Sequence, residues 1–302
     1  MHDASPIALR RKVQSSLLAA AVAAIAGRRL SSAAYRMRTS TSRGLVLLIG
    51  FVIPELALSQ PLDLSRYRLI DLTHAQGRQT LYWPSSPTTF RLDTLAFGMT
   101  PGGFFYSAFA FSTPEHGGTH IDAPIHFAEG RNTTDRIPLA QLIAPVVVID
   151  VTSRAAADRD YRATADDVLQ FEARHGRIAA GTIVLLRTGW DKRWSDRLRY
   201  FGDDTPGRTT NLHFPGFGAE AARLLVEQRG VAALGIDAAS IDHGPSQDFI
   251  VHRIAMRANV PAFENLMNLD QLPARGATLI ALPMKIEGGS GGPLRAVALV
   301  PR

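Results

Sequence analysis

From Tyr67 onward, short runs rich in Val, Ile, Leu and aromatic residues recur between Gly- and Pro-rich loops. Their length and β-branched content predict strands over Tyr67–Leu72, Phe104–Ser112, Val146–Val151, Ile183–Arg187, Ala232–Ile236, Leu279–Met284 and Arg295–Val300. Fewer stretches carry helical spacing. Thr164–His175 opens on a Thr-x-x-Asp capping box and has Gly176 just past its end. Ala219–Arg229 reads as an amphipathic helix stopped by Gly230, and Phe249–Arg257 as a third helix ending before Pro261. No repeat or low-complexity tract interrupts the pattern. Strands and helices mixed in this way predict a single α/β domain, with a mixed α+β sheet, over residues 60–302.

The first 60 residues differ. Two apolar runs, Leu17–Gly27 and Gly44–Ile53, are flanked by arginines, and neither approaches the ~20 residues that span a bilayer. The second run follows Arg38 and Arg43 and precedes Ala57-Leu58-Ser59, the order of a signal peptide cleaved before Gln60. Residues 1–59 are therefore read as a leader. Met37 is a candidate true start, and Arg10-Arg11 match a twin-arginine signal only weakly. The expected location is the periplasm or the exterior, without membrane attachment after cleavage, or the cytoplasm if the leader is retained.

Charge is unevenly distributed along the chain. The net charge of +6 suggests a polyanion partner, yet residues 1–60 hold eight Lys/Arg against two Asp/Glu, leaving 25 of each sign in the remainder. The basicity belongs to the leader, so no nucleic-acid partner is expected. Apolar residues at 46% exclude global disorder. The absence of cysteine excludes disulfides, thiolate metal sites and a cysteine nucleophile.

The chemistry concentrates in His116-Gly-Gly-Thr-His120-Ile-Asp122-Ala-Pro124-Ile-His126-Phe127. Two imidazoles and a carboxylate form a mixed N/O donor set suited to zinc, manganese or another first-row divalent metal. Gly117, Gly118 and Pro124 argue for a tight loop in which side chains converge. Three protein ligands leave a coordination position open, as a catalytic metal needs. His126 is then free to transfer protons.

This stretch resembles the signature of the metal-dependent cyclase family, which contains bacterial kynurenine formamidases and isatin hydrolases. The resemblance spans residues 67–300. It implies a swivelling β/β/α fold, a divalent metal (Zn or Mn) on His116, His120 and Asp122, and His126 as general acid/base. It also implies one or two ions: His252 and Glu264, twelve apart, match the second-metal residues of the formamidases. In isatin-hydrolase-like relatives a single metal is expected, and His252 would face substrate. Trp83 matches a pocket tryptophan, and a homo-oligomer (dimer or higher) is implied. The resemblance makes the chain a hydrolase of C–N bonds other than peptide bonds. Its substrate would be a small aromatic amide, either N-formylkynurenine in tryptophan catabolism or a strained lactam such as isatin. The segment Asp191–Phe217 is closer to the lactam branch, and Trp83, Phe104, Phe105 and Phe214 are aromatic candidates for a flat substrate. The rival class is a non-catalytic exported protein that binds metal or a small aromatic.

Two further patterns occur. Gly288-Gly289-Ser290-Gly291-Gly292 satisfies the Gly-x-Ser-x-Gly nucleophile elbow, but Pro293 and a strand-like run follow and no histidine lies after His252. It is expected to be a flexible loop bordering the pocket. Asp237, Ser240 and Asp242 follow a strand-like run and recur in the family's pattern; turn and capping roles stand beside chemistry for them.

Overall fold

The computed structural model describes residues 63–302, so the expected leader, the expected cleavage before Gln60 and Met37 lie outside the described residues. Twelve strands are β1 (Tyr67–Asp71), β2 (Arg91–Met99), β3 (Phe105–Ser112), β4 (His120–Asp122), β5 (Ile143–Asp150), β6 (Arg162–Ala163), β7 (Ile183–Arg187), β8 (Gly216–Phe217), β9 (Ala233–Ile236), β10 (Ala262–Glu264), β11 (Ala277–Pro283) and β12 (Gly291–Pro301). Eight of them form one mixed sheet in the order β1-β12-β11-β5-β7-β9-β10-β4. Strands β5, β7, β9 and β10 run parallel, and the other pairings are antiparallel.

The sheet closes on itself because β12 is long enough to serve three partners. Its first residues pair with β4 (Gly291 with Asp122, Pro293 with His120), and its later ones pair with β1 and β11. Alternation along the strands then sorts side chains into two cores. Val146, Val148, Ile183, Leu185, Phe263, Leu279 and Ala296 fill the barrel. Val147, Ile149, Val184, Leu186, Leu234 and Ile236 point outward against the helices, where they meet Val168, Phe171, Leu225, Val251 and Met256. Burial on both faces explains why β5, β7 and β9 are continuous apolar runs rather than alternating ones.

The helix at Ala165–His175 has the full capping box between Thr164 and Asp167, and Gly176 follows it. Ile250–Arg257 is helical with Phe249 as its cap. The expected helix over Ala219–Arg229 is instead α-helical only to Arg223. It widens into a π-turn over Leu224–Arg229, released by left-handed Gly230, whose N–H reaches back to the Leu225 carbonyl. Strands β4 and β10 were not expected, since three residues carry no detectable period. Strand β2 was missed as well; it forms a separate ribbon with β3, bulged between Thr94 and Ala96. Among the described residues no helix is long and apolar enough to cross a membrane.

Candidate metal centre and active site

The loop reading of the histidine cluster needs correction at its centre. His116–Thr119 is irregular, but His120–Asp122 is a buried strand, and Pro124–His126 forms one 3-10 turn. Strand alternation sends Ile121 into the barrel and His120 and Asp122 out of it. On neighbouring β10, Phe263 likewise enters the barrel, while Glu264 stands opposite His120 in the ladder. Closure of the barrel thus presents His120, Asp122 and Glu264 side by side.

The Asp122 carboxylate is the hub. Its Oδ1 lies 2.6 Å from His116 Nδ1 and 3.2 Å from His120 Nε2, and its Oδ2 lies 3.1 Å from His252 Nε2. Glu264 is 3.2 Å from His252 Nε2 and 3.6 Å from His120 Nε2, and accepts the Ile241 N–H at 2.8 Å. His252 arrives from the first turn of the Ile250–Arg257 helix, oriented by Asp242. That carboxylate accepts the Val251 and His252 N–H groups, capping the helix, and contacts His252 Nδ1 at 2.7 Å. Asp242 is thus the cap expected from sequence, and it also fixes the direction of an imidazole. Asp237 is structural: it binds Thr188 and the Gly189 N–H.

His126 stacks on His116 with ring centroids 3.8 Å apart. Its ring lies within donor range of His116 and Asp122, so two groupings could hold an ion: His116, Asp122 and His126, or His120, Asp122 and Glu264. Loss of water pushes His126 down to about 4, with neighbouring His116, His252 and His120 adding to the fall and Asp122 opposing it. Burial works against charge on His120 and His252, but the surrounding carboxylates outweigh it. His120 is pushed up to about 9, and His252 well above the ordinary imidazole value. Burial would raise Asp122, yet His120 and His116 hold it well below the usual carboxylate range. Burial and the charge of Asp122 raise Glu264.

Two carboxylates buried against three imidazoles form a site that demands positive charge. Protons can supply it, and so can a divalent cation, which would displace them on binding. The mixed N/O donor set, the inward aim of every donor and the oriented imidazole of His252 fit a divalent metal.

These residues floor a cavity of about 410 Å³, within the size range of small-molecule sites. Trp83, Phe127 and Phe249 wall it, and Trp83 meets the buried Phe214 edge-on at 6.3 Å. Phe104 and Phe105 are not part of it: both stand exposed at the tip of the β2–β3 ribbon. Sequence reasoning passed over Asn265, which lines the cavity and donates to the Gly118 carbonyl at 2.8 Å. It also passed over Glu115, and it set Ser290 aside as part of a loop. The glycine-rich run around Ser290 is no free loop: Ser290 accepts the Ala123 N–H on its carbonyl, and Gly289 accepts from Thr134.

A family model described as "Putative cyclase" matches residues 70–243, and His252 and Glu264 fall beyond that match. An isatin hydrolase of Roseibium aggregatum is 42% identical over 196 residues, covering 62% of this chain and 73% of that one. A kynurenine formamidase of Paracidovorax citrulli is 32% identical over 196 residues, covering 64% and 79%. Among solved structures, an isatin hydrolase bound to the product analogue thioisatinate is 35% identical with a TM-score of 0.72, covering 79% of this chain and 94% of that one. Isatin hydrolase A from Ralstonia solanacearum is 34% identical with a TM-score of 0.71, covering 87% and 100%.

Proposed function

The chain belongs to the cyclase family, and from that premise we propose that it hydrolyses a lactam fused to an aromatic ring, as in isatin. That it is an amide-cleaving hydrolase of non-peptide C–N bonds follows from its relatives. The meeting of the Asp122 hub with an aromatic-walled cavity supports a small aromatic amide, and the likeness to isatin hydrolases favours the lactam over the formyl anilide. A flat ring would lie against the wall that Trp83, Phe127 and Phe249 form together, with its carbonyl toward the carboxylate hub. One divalent ion would be held by His116, His120 and Asp122 and a second by Asp122, His252 and Glu264; His126, although also within reach of His116 and Asp122, is left for proton transfer. The two oxygens of Asp122 face different imidazoles, which supports two ions, zinc or manganese. Such a metal polarises a carbonyl and lowers the pKa of a water toward ~7. His126, largely neutral at pH 7, accepts a proton from the attacking water and passes it to the leaving nitrogen. The C–N bond breaks, and a carboxylate and an amine result.

The test is a panel of isatin and formyl anilides, including N-formylkynurenine, with zinc- and manganese-loaded protein before and after chelation. Metal-dependent opening of isatin is expected. Preference for formyl anilides would move the chain to the formamidase branch. Binding without turnover of either would favour the non-catalytic reading.

We also propose a homo-oligomer built on the β2–β3 ribbon. Nine large apolar side chains there, among them Leu95, Phe97, Met99, Phe105, Phe109 and Phe111, are about half exposed or more. At ~200 Å² each they offer about 1,000 Å², against about 800 Å² per partner in a standard interface. An isolated two-stranded ribbon is marginal in water, and a second copy is the occupant that is always present. Light scattering should find a dimer or larger, and Phe97→Glu with Phe109→Glu should give monomers. Monomeric wild-type protein would overturn this. Export with cleavage before Gln60 remains our reading of the leader, to be checked by N-terminal sequencing from the native host.

A further inference from the structure

The Gly-x-Ser-x-Gly run has no nucleophile's surroundings, yet its serine touches the site. Ser290 Oγ lies 2.5 Å from Glu115 Oε2 and 3.0 Å from His116 Nε2. The Ser290 N–H donates to the same glutamate oxygen at 3.0 Å. We propose that Glu115 and Ser290 are positioning residues that hold His116 in the Nε2–H tautomer and so turn its Nδ1 lone pair toward a metal. The inference rests on the metal reading of the site and deepens it.

A glutamate carboxylate only accepts, and a serine hydroxyl has one proton to give. The short contact to Glu115 uses that proton. The serine oxygen is then left as the acceptor toward His116, and Nε2 must be the donor. A neutral imidazole that donates from Nε2 carries its lone pair on Nδ1. That lone pair faces Asp122 Oδ1 at 2.6 Å, an acceptor against an acceptor, so a proton bridges the two in the metal-free protein and a divalent ion would take its place on binding. The chain Glu115–Ser290–His116 thus performs the task that a carboxylate or carbonyl performs for most metal-bound histidines, with a hydroxyl interposed.

The surrounding glycines agree with this role. A Cβ on Gly289 would lie 2.7 Å from Glu115 Oε1, and one on Gly291 would lie 2.5 Å from His116 Cε1. The two residues flanking Ser290 lack side chains where its two partners approach. His126 holds the imidazole from one ring face. The run that resembles a nucleophile elbow is, on this account, a bracket for a ligand.

The experiment uses the full chain in metal-free form, titrated with zinc alone by calorimetry. Ser290→Ala and Glu115→Gln should each raise the zinc Kd about 10–100-fold, the usual cost of an outer-shell partner. The thermal midpoint of the metal-free variants should fall by only a few degrees, as for one lost hydrogen bond, and Ser290→Thr, which restores the hydroxyl, should recover affinity. In the zinc-loaded wild type, ¹⁵N spectra should place the His116 proton on Nε2 with slow solvent exchange, accelerated in Ser290→Ala. Wild-type affinity in both Ser290→Ala and Glu115→Gln, or a His116 proton on Nδ1, would overturn the relay while leaving the metal reading intact. A wild-type protein that takes up no zinc or manganese would overturn the metal reading itself, and the relay with it.

Discussion

Substituting Gly291 by alanine tests whether the position of His116 matters. The added methyl would lie 2.5 Å from His116 Cε1, 3.0 Å from its Nδ1 and 2.7 Å from the Ile121 carbonyl oxygen. Carbon atoms rest at about 3.5–4.0 Å, so the ring must retreat by about 1 Å. It cannot do so alone, because His126 is stacked on it and Ile121 belongs to the strand paired with β12. Overpacking of this kind costs about 1–3 kcal/mol, a fall in Tm of about 2–12 °C for a domain of this size. A displacement of about 1 Å exceeds the ~0.5 Å tolerance of a ligand constellation. Metal affinity should therefore drop about 10–100-fold, as when an outer-shell partner is lost. Gly235→Ala is the control. Its methyl would meet Leu185 Cδ2 at 2.5 Å and Leu266 Cδ1 at 3.2 Å inside the barrel, costing stability but touching no ligand. Thermal melts of the metal-free proteins and calorimetric titration with zinc and manganese separate the two effects. If Gly291→Ala binds metal like the wild type while Gly235→Ala behaves as described, the placement of His116 is not what the site depends on.

Other outcomes follow from the same geometry. His126→Ala should keep its metal and fold while kcat falls about 10²–10⁴-fold; metal loss equal to that of His120→Ala would make His126 a ligand. Elemental analysis should find two ions per chain, and one in Glu264→Gln; a single ion in the wild type would assign His252 to the substrate instead. Glu172 forms a two-pronged pair with Arg229 at 2.7 and 2.8 Å, and this partner holds its carboxyl below the usual value. Its stabilisation is therefore present above the unfolded pKa of about 4.3 and is lost as pH falls through the depressed folded value. Denaturation of Glu172→Gln against wild type should show a stability gap at pH 7 that narrows in acid; a constant gap would refute the linkage.

Local chemistry was legible from residue order wherever partners are near in sequence. The Thr164–Asp167 capping box, the left-handed stop at Gly230 and the strand at Ile183–Arg187 each announce themselves within a few positions. So do His116, His120, Asp122 and His126, which the fold gathers at one place. His252 and Glu264 were accessible only through family resemblance, since no local signal separates them from packed or capping residues. What escaped notice depends on distant pairings. Strand β4 is a strand because β10 and β12 flank it, more than 130 positions away. Ser290 stands 174 positions from His116, and its neighbours in sequence suggest mobility rather than attachment. The ribbon was half seen: β3 has strand composition, whereas β2 carries charge and a glycine that dilute the pattern.

The double pairing of β4 has a kinetic consequence. A three-residue strand at the edge of a sheet would fray, and its amides would exchange with solvent quickly. Here both edges are occupied, and one neighbour, β12, also holds β1 and β11. Opening β4 means opening the barrel, so its amide protons should exchange at close to the rate of global unfolding. An ion bound at His120 and Asp122 would therefore leave by rotation of side chains, not by melting of the backbone that bears them. Chelation should yield a folded, reloadable shell, unlike the small zinc domains that unfold when stripped.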